Sequence, residues 1–241
     1  KSLVLNTLAA IHEELGDYEV AAEYAAKSAE AAIESGAVIR SNVVLTAMLT
    51  NIGDLEGGEI AISKANSRVS DTVGWRGDSR AWVPFMRYLV SLGNGQLKYS
   101  QGIYSEAERT IRATLKAIEE DIANGSDGRS IVGAAGISLS TIRITLKSYA
   151  LRVLGQILMR QGRLAESEVV ARDALFTQAR NFGRNSGQTG EGMGGLTEIL
   201  REQGRFKEAT NLAKVTLDVY AKMGADENSV TLAAARRPLA D

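Results

Sequence analysis

Residues Leu151 to Leu175 read LRVLGQILMRQGRLAESEVVARDAL, and they contain the clearest structural pattern of the chain. Large apolar residues recur at Leu151, Leu154 and Leu158, in steps of three and four that place them on one face of an α-helix. Gly162 then interrupts the pattern, and a second helical pattern starts at Leu164. The stretch therefore predicts two antiparallel helices joined by a tight turn.

Turns of the same form occur five times along the chain. In each, a glycine is followed two residues later by Tyr, Phe or Leu; the glycines are Gly16, Gly53, Gly102, Gly162 and Gly204. Glycine suits the left-handed backbone conformation that ends a helix, and we expect the large residue to anchor the start of the next helix. The recurrence predicts an array of helix pairs.

Three positions, counted from each turn glycine, hold only small residues. They lie seven residues before, five after and twelve after the glycine, and all are Ala, Gly, Ser or Thr: Ala9, Thr46, Gly95, Gly155 and Thr197; Ala21, Gly58, Ala107, Ser167 and Ala209; Ser28, Ala65, Thr114, Ala174 and Thr216. Small side chains there predict close approach of the two helices of a pair and of the next pair's first helix.

The units from Leu151 to Leu175 and from Leu5 to Ala29 resemble the tetratricopeptide repeat (TPR). The resemblance covers most of the chain and implies an all-α fold, a right-handed superhelical α-solenoid of about five TPR-like helix pairs plus a C-terminal helix. The turn glycines are spaced 37, 49, 60 and 42 residues apart rather than 34, and the family's closing proline is missing. The chain is therefore similar to irregular bacterial and kinesin light-chain-like arrays.

We expect one solenoid over residues 1–241. The repeats are predicted near 2–35, 40–70, 79–123, 138–182 and 192–223, with a partial sixth from 229. Glycine-rich links at 124–136 and 183–190 are not read as domain boundaries, because the repeat resumes on both sides. The sequence lacks an initiator Met and stops just after a helical pattern, so we interpret it as a piece of a longer protein.

Composition narrows the classes of partner. The chain carries 28 basic and 29 acidic residues, a net charge of −1, so long-range electrostatics favour neither nucleic acid nor an acidic membrane. It has no cysteine, which excludes disulfides and thiolate metal sites and fits a cytoplasmic location. No apolar run approaches the ~20 residues that span a bilayer. The expected partner is another protein or a peptide.

Catalytic and cofactor motifs are weak. His12 is the only histidine, and a position between the helices of a pair favours a packing role. Residues 190–195 match the Gly-x-Gly-x-x-Gly pattern, but no strand precedes them, so we read a linker that opens a helix rather than a dinucleotide site. We predict no catalytic residue, no metal and no cofactor.

The candidate partner-binding residues lie on first helices and point away from the packed second helices. They are Asn6, Gln96, Tyr99, Arg152, Gln156, Arg160, Glu198 and Arg201. Arg and Tyr are residues that grooves use to hold a peptide carboxylate or backbone, although simple exposure also accounts for polar residues here.

The sequence therefore predicts a protein-interaction scaffold that binds a peptide or helix in a concave groove. One alternative is a ligand- or peptide-sensing module that controls a protease-like or DNA-binding effector domain. Another is an enzyme in its own right, for which no catalytic constellation is visible.

Overall fold

The structure is a computed structural model that describes residues 1–71, 82–124, 131–132, 137–225 and 229–239. In these ranges the chain forms eleven α-helices: α1 Ser2–Leu15, α2 Tyr18–Ala31, α3 Ser35–Asn51, α4 Leu55–Ser70, α5 Val83–Ser100, α6 Tyr104–Asn124, α7 Leu139–Arg160, α8 Leu164–Phe182, α9 Gly187–Glu202, α10 Phe206–Met223 and α11 Val230–Arg236. A short 3-10 helix, Arg237–Leu239, follows. The all-α prediction is confirmed.

Two very short strands interrupt the helices. β1 Ile131–Val132 pairs antiparallel with β2 Ile137–Ser138, in the register Ile131 opposite Ser138 and Val132 opposite Ile137. They lie in and just after the predicted link at 124–136. Strands of two residues are too short to produce the alternating pattern by which a strand is predicted from sequence.

All five turn glycines adopt the predicted left-handed conformation, with φ between 75° and 84°. At Gly162 the turn closes with two backbone bonds: Gly162 N donates to Met159 O at 3.0 Å, and Arg163 N donates to Leu158 O at 2.9 Å. These bonds satisfy carbonyls that the end of α7 would otherwise leave unpaired. The large residue that follows is not always an anchor, because Phe206 is 63% exposed.

All fifteen predicted small residues are buried. Their contacts show why they are small: Ser167 Oγ on α8 donates to the carbonyl of Gly155 on α7 at 2.7 Å. A Cβ added at Gly58 would lie 3.3 Å from Leu97 Cδ1, which would force that leucine to shift. The alignment on the turn glycines therefore has the correct register.

The chain divides into two compact units, Lys1–Thr110 and Ile111–Asp241. In unit 1, α1 packs on α2, α3 on α4, and first helices also contact each other, α1 with α3 and α3 with α5. In unit 2, α7 packs on α8, α9 on α10, and α7 contacts α9. This pattern matches a helix-pair array within each unit, while one solenoid over 1–241 and its right-handed superhelix stay predictions.

Two helix starts differ from the sequence expectation. α3 begins at Ser35 rather than near 40. α9 begins at Gly187, so the predicted glycine-rich link at 183–190 and the helix start at 192 were wrong there. The physical reason at α9 is its N-cap: Ser186 Oγ accepts a hydrogen bond from Thr189 N at 3.2 Å, which starts the helix despite its glycines.

Candidate functional site

The predicted residues of unit 1 are partly engaged in packing. Asn6 on α1 is half-buried, and its Nδ2 donates to Ser41 Oγ on α3 at 3.3 Å. Ser41 in turn pairs with Ser28 Oγ at 2.9 Å, so Asn6 belongs to a polar network that joins α1, α2 and α3. Gln96 and Tyr99 are half-buried on α5.

The predicted residues of unit 2 divide into two sets. Arg152 and Gln156 on α7 and Glu198 on α9 line one cleft. Arg160 and Arg201 lie on the same two helices but do not line it. Sequence reasoning thus placed three of its five unit 2 residues around a single cleft, which we call the α7–α9 cleft.

The α7–α9 cleft has walls from the two first helices and a floor from the second helix between them. Its lining residues are Arg152, Gly155, Gln156 and Met159 of α7, Ala171, Ala174 and Gln178 of α8, and Glu191, Gly192, Gly195, Glu198 and Ile199 of α9. Many of these residues are small, because the repeat requires small residues where helices approach. The cavity volume is about 20 Å³, enough for a water molecule or the tip of one side chain.

Charges of both signs stand around this cleft. Arg152 is half-buried, and its guanidinium carbon lies 4.9 Å from the centre of the Tyr149 ring, a cation–π contact between side chains of the same helix. Glu191 and Glu198 are exposed on α9. A ligand therefore meets a cation from one wall and carboxylates from the other.

Gln178 on the floor was missed by sequence reasoning. Its side chain is only 3% exposed, and its Oε1 has no hydrogen-bond partner among the residues that the structure describes. Buried amide groups are normally hydrogen-bonded, because burial without a partner costs about 1–3 kcal/mol. A signal was present: α8 buries Ser167, Ala171, Ala174 and Gln178 on one face, and Gln178 is the one long polar side chain among these four.

Helix α9 forms its wall from an unusual sequence. It contains five glycines in sixteen residues, and each costs up to about 1 kcal/mol relative to alanine in a helix. Two are explained by packing, because an added Cβ would collide with the Tyr220 ring at Gly190 and with Gln178 Oε1 at Gly192. At Gly194 and Gly195 an added Cβ would meet nothing within 4 Å.

A second polar cluster of unit 2 serves to join neighbouring pairs. Glu168 on α8 accepts hydrogen bonds from Gln203 Nε2 at 2.9 Å, from Arg172 Nη2 at 2.6 Å and from Arg205 Nη1 at 2.8 Å. Hydrogen bonds from Gln203, Arg172 and Arg205 together lower the pKa of the Glu168 carboxyl from 4.5 to about 2. The hydrogen bonds that Arg205 donates to Glu208 and Glu168 raise the pKa of Arg205 above its usual value.

His12 occupies a packing position, as its sequence context suggested. Its side chain is 26% exposed, its ring stacks on Tyr24 with centroids 5.3 Å apart, and its Nδ1 lies 3.2 Å from Asp17 Oδ2. Within the described ranges, no group of three or more His, Cys, Asp or Glu is placed to hold a metal ion.

The Gly-x-Gly-x-x-Gly residues 190–195 lie inside α9, not in a linker that opens it. Backbone N–H groups in a helix interior are used by the helix itself, so they cannot face a pyrophosphate. None of the helices in the described ranges is both long and apolar enough to cross a membrane.

Comparison with solved structures places this geometry in a known class. Over 96% of this chain and 85% of the other, the fold matches BtubC (BKLC) from P. vanneervenii with a TM-score of 0.57 and 16% sequence identity. A putative kinesin light chain with nearly identical TPR-like repeats from Podosopora anserina matches with a TM-score of 0.52 and 12% identity, over 92% and 95% of the two chains. The apo form of RapI matches with a TM-score of 0.51 and 11% identity, over 99% and 84%.

The chain thus has the fold of the irregular TPR-like repeat proteins, as the turn glycines and small residues predicted. No protein-family model and no curated protein sequence matches the chain.

Proposed function

We propose that this chain is a non-catalytic interaction module that binds a peptide or helix of another protein, with the α7–α9 cleft as its docking site. TPR-like folds generally serve as protein-interaction scaffolds, which supports the general part of the proposal. The observation that carries the site is that Arg152, Gln156 and Glu198, chosen from sequence as outward residues of different helices, line one cleft.

The chemistry of the cleft fits a peptide. Half-buried Arg152 offers a fixed guanidinium, which forms charge-assisted bonds to a carboxylate worth about 1.5–3 kcal/mol each. Glu198 on the opposite wall offers an acceptor to a basic residue or a main-chain N–H. Nucleic acid and membranes are not among the proposed partners, because the net charge of −1 supplies no long-range attraction to either.

A sensing module that controls an effector domain is the second candidate, and helix α9 favours it. Five glycines give α9 a low helix propensity. A ligand bound in the cleft would therefore shift the equilibrium between folded and locally unfolded α9 toward the helix. Amide hydrogen exchange along α9, measured with and without a bound peptide, distinguishes the two functions. Strong added protection confined to α9 supports sensing, and unchanged exchange supports a rigid scaffold.

The test of the proposed function uses an array of immobilised random-sequence dodecapeptides probed with the whole chain. Wild type should bind a subset of peptides, and Arg152→Ala should weaken that binding severalfold. Arg180→Ala is the matched control, because Arg180 is an exposed arginine of the same unit outside the cleft. Equal binding by wild type and Arg152→Ala moves the site elsewhere.

A further inference from the structure

The floor of the α7–α9 cleft has an unmet hydrogen-bonding requirement. Gln178 is 3% exposed and lines the cleft, yet its Oε1 accepts no hydrogen bond from any residue that the structure describes. Oε1 lies where a Cβ of residue 192 would stand, and only a glycine leaves that space to the amide. Gln178 thus carries a buried acceptor that no described residue satisfies, and its side chain forms part of the cleft floor.

From this arrangement we propose that the cleft takes the carboxamide side chain of an Asn or Gln residue in the bound peptide, paired with Gln178. The inference rests on the proposed function and names the group that the peptide presents. The wall at Gly195 supports it, because an added Cβ there would meet nothing in the chain itself, so that space is left for a partner atom.

The required chemistry excludes other side chains. An unpaired acceptor needs a donor, which an ionised carboxylate lacks, so a carboxylate held by Arg152 on the wall would leave Gln178 unsatisfied. Lysine and arginine do supply donors, but burying a charge in an enclosed floor costs far more than burying a neutral amide. A carboxamide carries one acceptor and two donors, so it satisfies Gln178 and is itself satisfied.

The size of the cavity favours a side chain over a main-chain amide. About 20 Å³ admits the tip of one side chain, whereas a peptide bond would bring the Cα atoms on both of its sides into the same space.

Unit 1 shows the same pairing between two of its own residues. Asn66 Nδ2 on α4 donates to Asn94 Oδ1 at 3.3 Å, and Asn94 Nδ2 on α5 returns a bond to Asn66 Oδ1 at 3.2 Å. Two carboxamides from neighbouring helices thus form a reciprocal pair in this repeat architecture. At Gln178 the second carboxamide is missing from the described part of the chain.

The test uses dodecapeptide pools with randomised flanks and one fixed central residue: Asn, Gln, Asp, Lys, Leu or Ala. Wild type should retain the Asn or Gln pools about tenfold more strongly than the Leu and Ala pools, because a site built to bond an amide rejects groups that lack one. Gln178→Leu should lose this preference and still bind peptides through Arg152 and Glu198.

The outcomes separate this inference from the proposed function. Peptide binding with no preference, a preference for Asp or Lys, or a preference that survives Gln178→Leu overturns the carboxamide site and leaves peptide recognition standing. If the Ala pool binds as strongly as the Asn pool, the cleft binds a main-chain amide, and this result also overturns the carboxamide site. Binding of none of the pools overturns both.

A second pair of variants tests the cleft wall without touching Gln178. Gly194→Ala and Gly195→Ala each add a Cβ to α9 that would have no neighbouring atom of the chain within 4 Å. Of these two glycines, only Gly195 lines the cleft. Gly195→Ala should reduce retention of the Asn pool severalfold, and Gly194→Ala should leave it unchanged. If both variants retain the Asn pool equally well, the proposal is contradicted. This test does not depend on whether Gln178→Leu folds.

Discussion

The α3–α4 pair of unit 1 and the α7–α8 pair of unit 2 follow the same register from their turn glycines but treat the same three positions differently. The positions are ten and six residues before the glycine and sixteen after it. In unit 1 they hold Val43, Ala47 and Val69, and all three pack against apolar clusters. In unit 2 they hold Arg152, Gln156 and Gln178, and all three line a cleft.

The same backbone repeat therefore builds apolar core in unit 1 and a polar cleft in unit 2. A Cβ added at Gly93 of α5 would lie 3.3 Å from Val43 Cγ1, so apolar contact extends from α3 to the next first helix in unit 1. In unit 2 an arginine and two amides replace that contact. Polar residues at these positions lose the stabilisation of about 25 cal/mol per Å² that buried apolar surface provides. In exchange, they line the cleft with groups that can bind a ligand.

Gly190 gives the largest predicted effect on stability. Gly190→Ala places a Cβ 2.6 Å from the buried Tyr220 ring, and we expect it to lower the free energy of unfolding by about 1–3 kcal/mol. Gly194→Ala, on the same helix, should instead raise it by up to about 1 kcal/mol. Thermal melts followed by circular dichroism measure both, and a stabilised Gly190→Ala protein contradicts the packing described for α9.

The next largest effect is expected from exchanging residues between these two helix pairs. Val69→Gln puts an amide where α4 packs on the unit 1 core, and it should lower the free energy of unfolding by about 1–2 kcal/mol. The reverse change, Gln178→Val, removes an unpaired buried acceptor and should cost little or nothing. Urea titrations compare the two variants, and equal losses would show that the two sites do not differ as described.

The Glu168 cluster makes the stability of unit 2 pH-dependent. Because the folded-state pKa of Glu168 is depressed, its contribution is complete above its unfolded value near 4.5 and is lost as the pH falls toward 2. The side chain is 17% exposed, and we expect a contribution on the order of 1 kcal/mol after screening by solvent. Glu168→Gln should lose stability at pH 7 and show a flatter decline between pH 4.5 and 2; an unchanged profile refutes this assignment.

The smallest predicted effect on stability comes from the two arginines of α7. Arg152→Ala with Arg160→Ala should change the free energy of unfolding by no more than about 0.5 kcal/mol, since Arg160 is exposed and Arg152 is only half-buried. Peptide binding should fall severalfold, with most of the loss from Arg152, which lines the cleft. Single variants in fluorescence polarisation separate the two, and a larger effect from Arg160 would place the peptide outside the cleft.

Sequence alone predicted the turns and the close-packed positions because both depend on local chemistry. The left-handed glycines and all fifteen buried small residues follow from one repeated pattern. Gln178 was missed because only outward residues of first helices were considered. The residues sixteen after each turn glycine are Ala32, Val69, Ile118, Gln178 and Tyr220, so the one amide was visible as an exception.

The start of α9 was beyond local reasoning. Glycines at 190 and 192 read as helix breakers in sequence, but they are kept by tertiary contacts with Tyr220 and Gln178. Intrinsic propensity is a weak prior that tertiary packing overrides, and here two helices approach where only glycine fits. The predicted start of repeat three, near 79, and parts of the predicted link at 124–136 lie outside the described residues.

The most direct test gives the α7–α8 pair the residues that the α3–α4 pair carries at the same three positions. The variant combines Arg152→Val, Gln156→Ala and Gln178→Val, and its affinity for a peptide selected on the wild-type array is measured by fluorescence polarisation. We expect the affinity to fall at least about tenfold while the helical melt is retained, because fold and site use different positions of the repeat. An unchanged affinity in a folded triple variant would contradict the assignment of the α7–α9 cleft as the binding site.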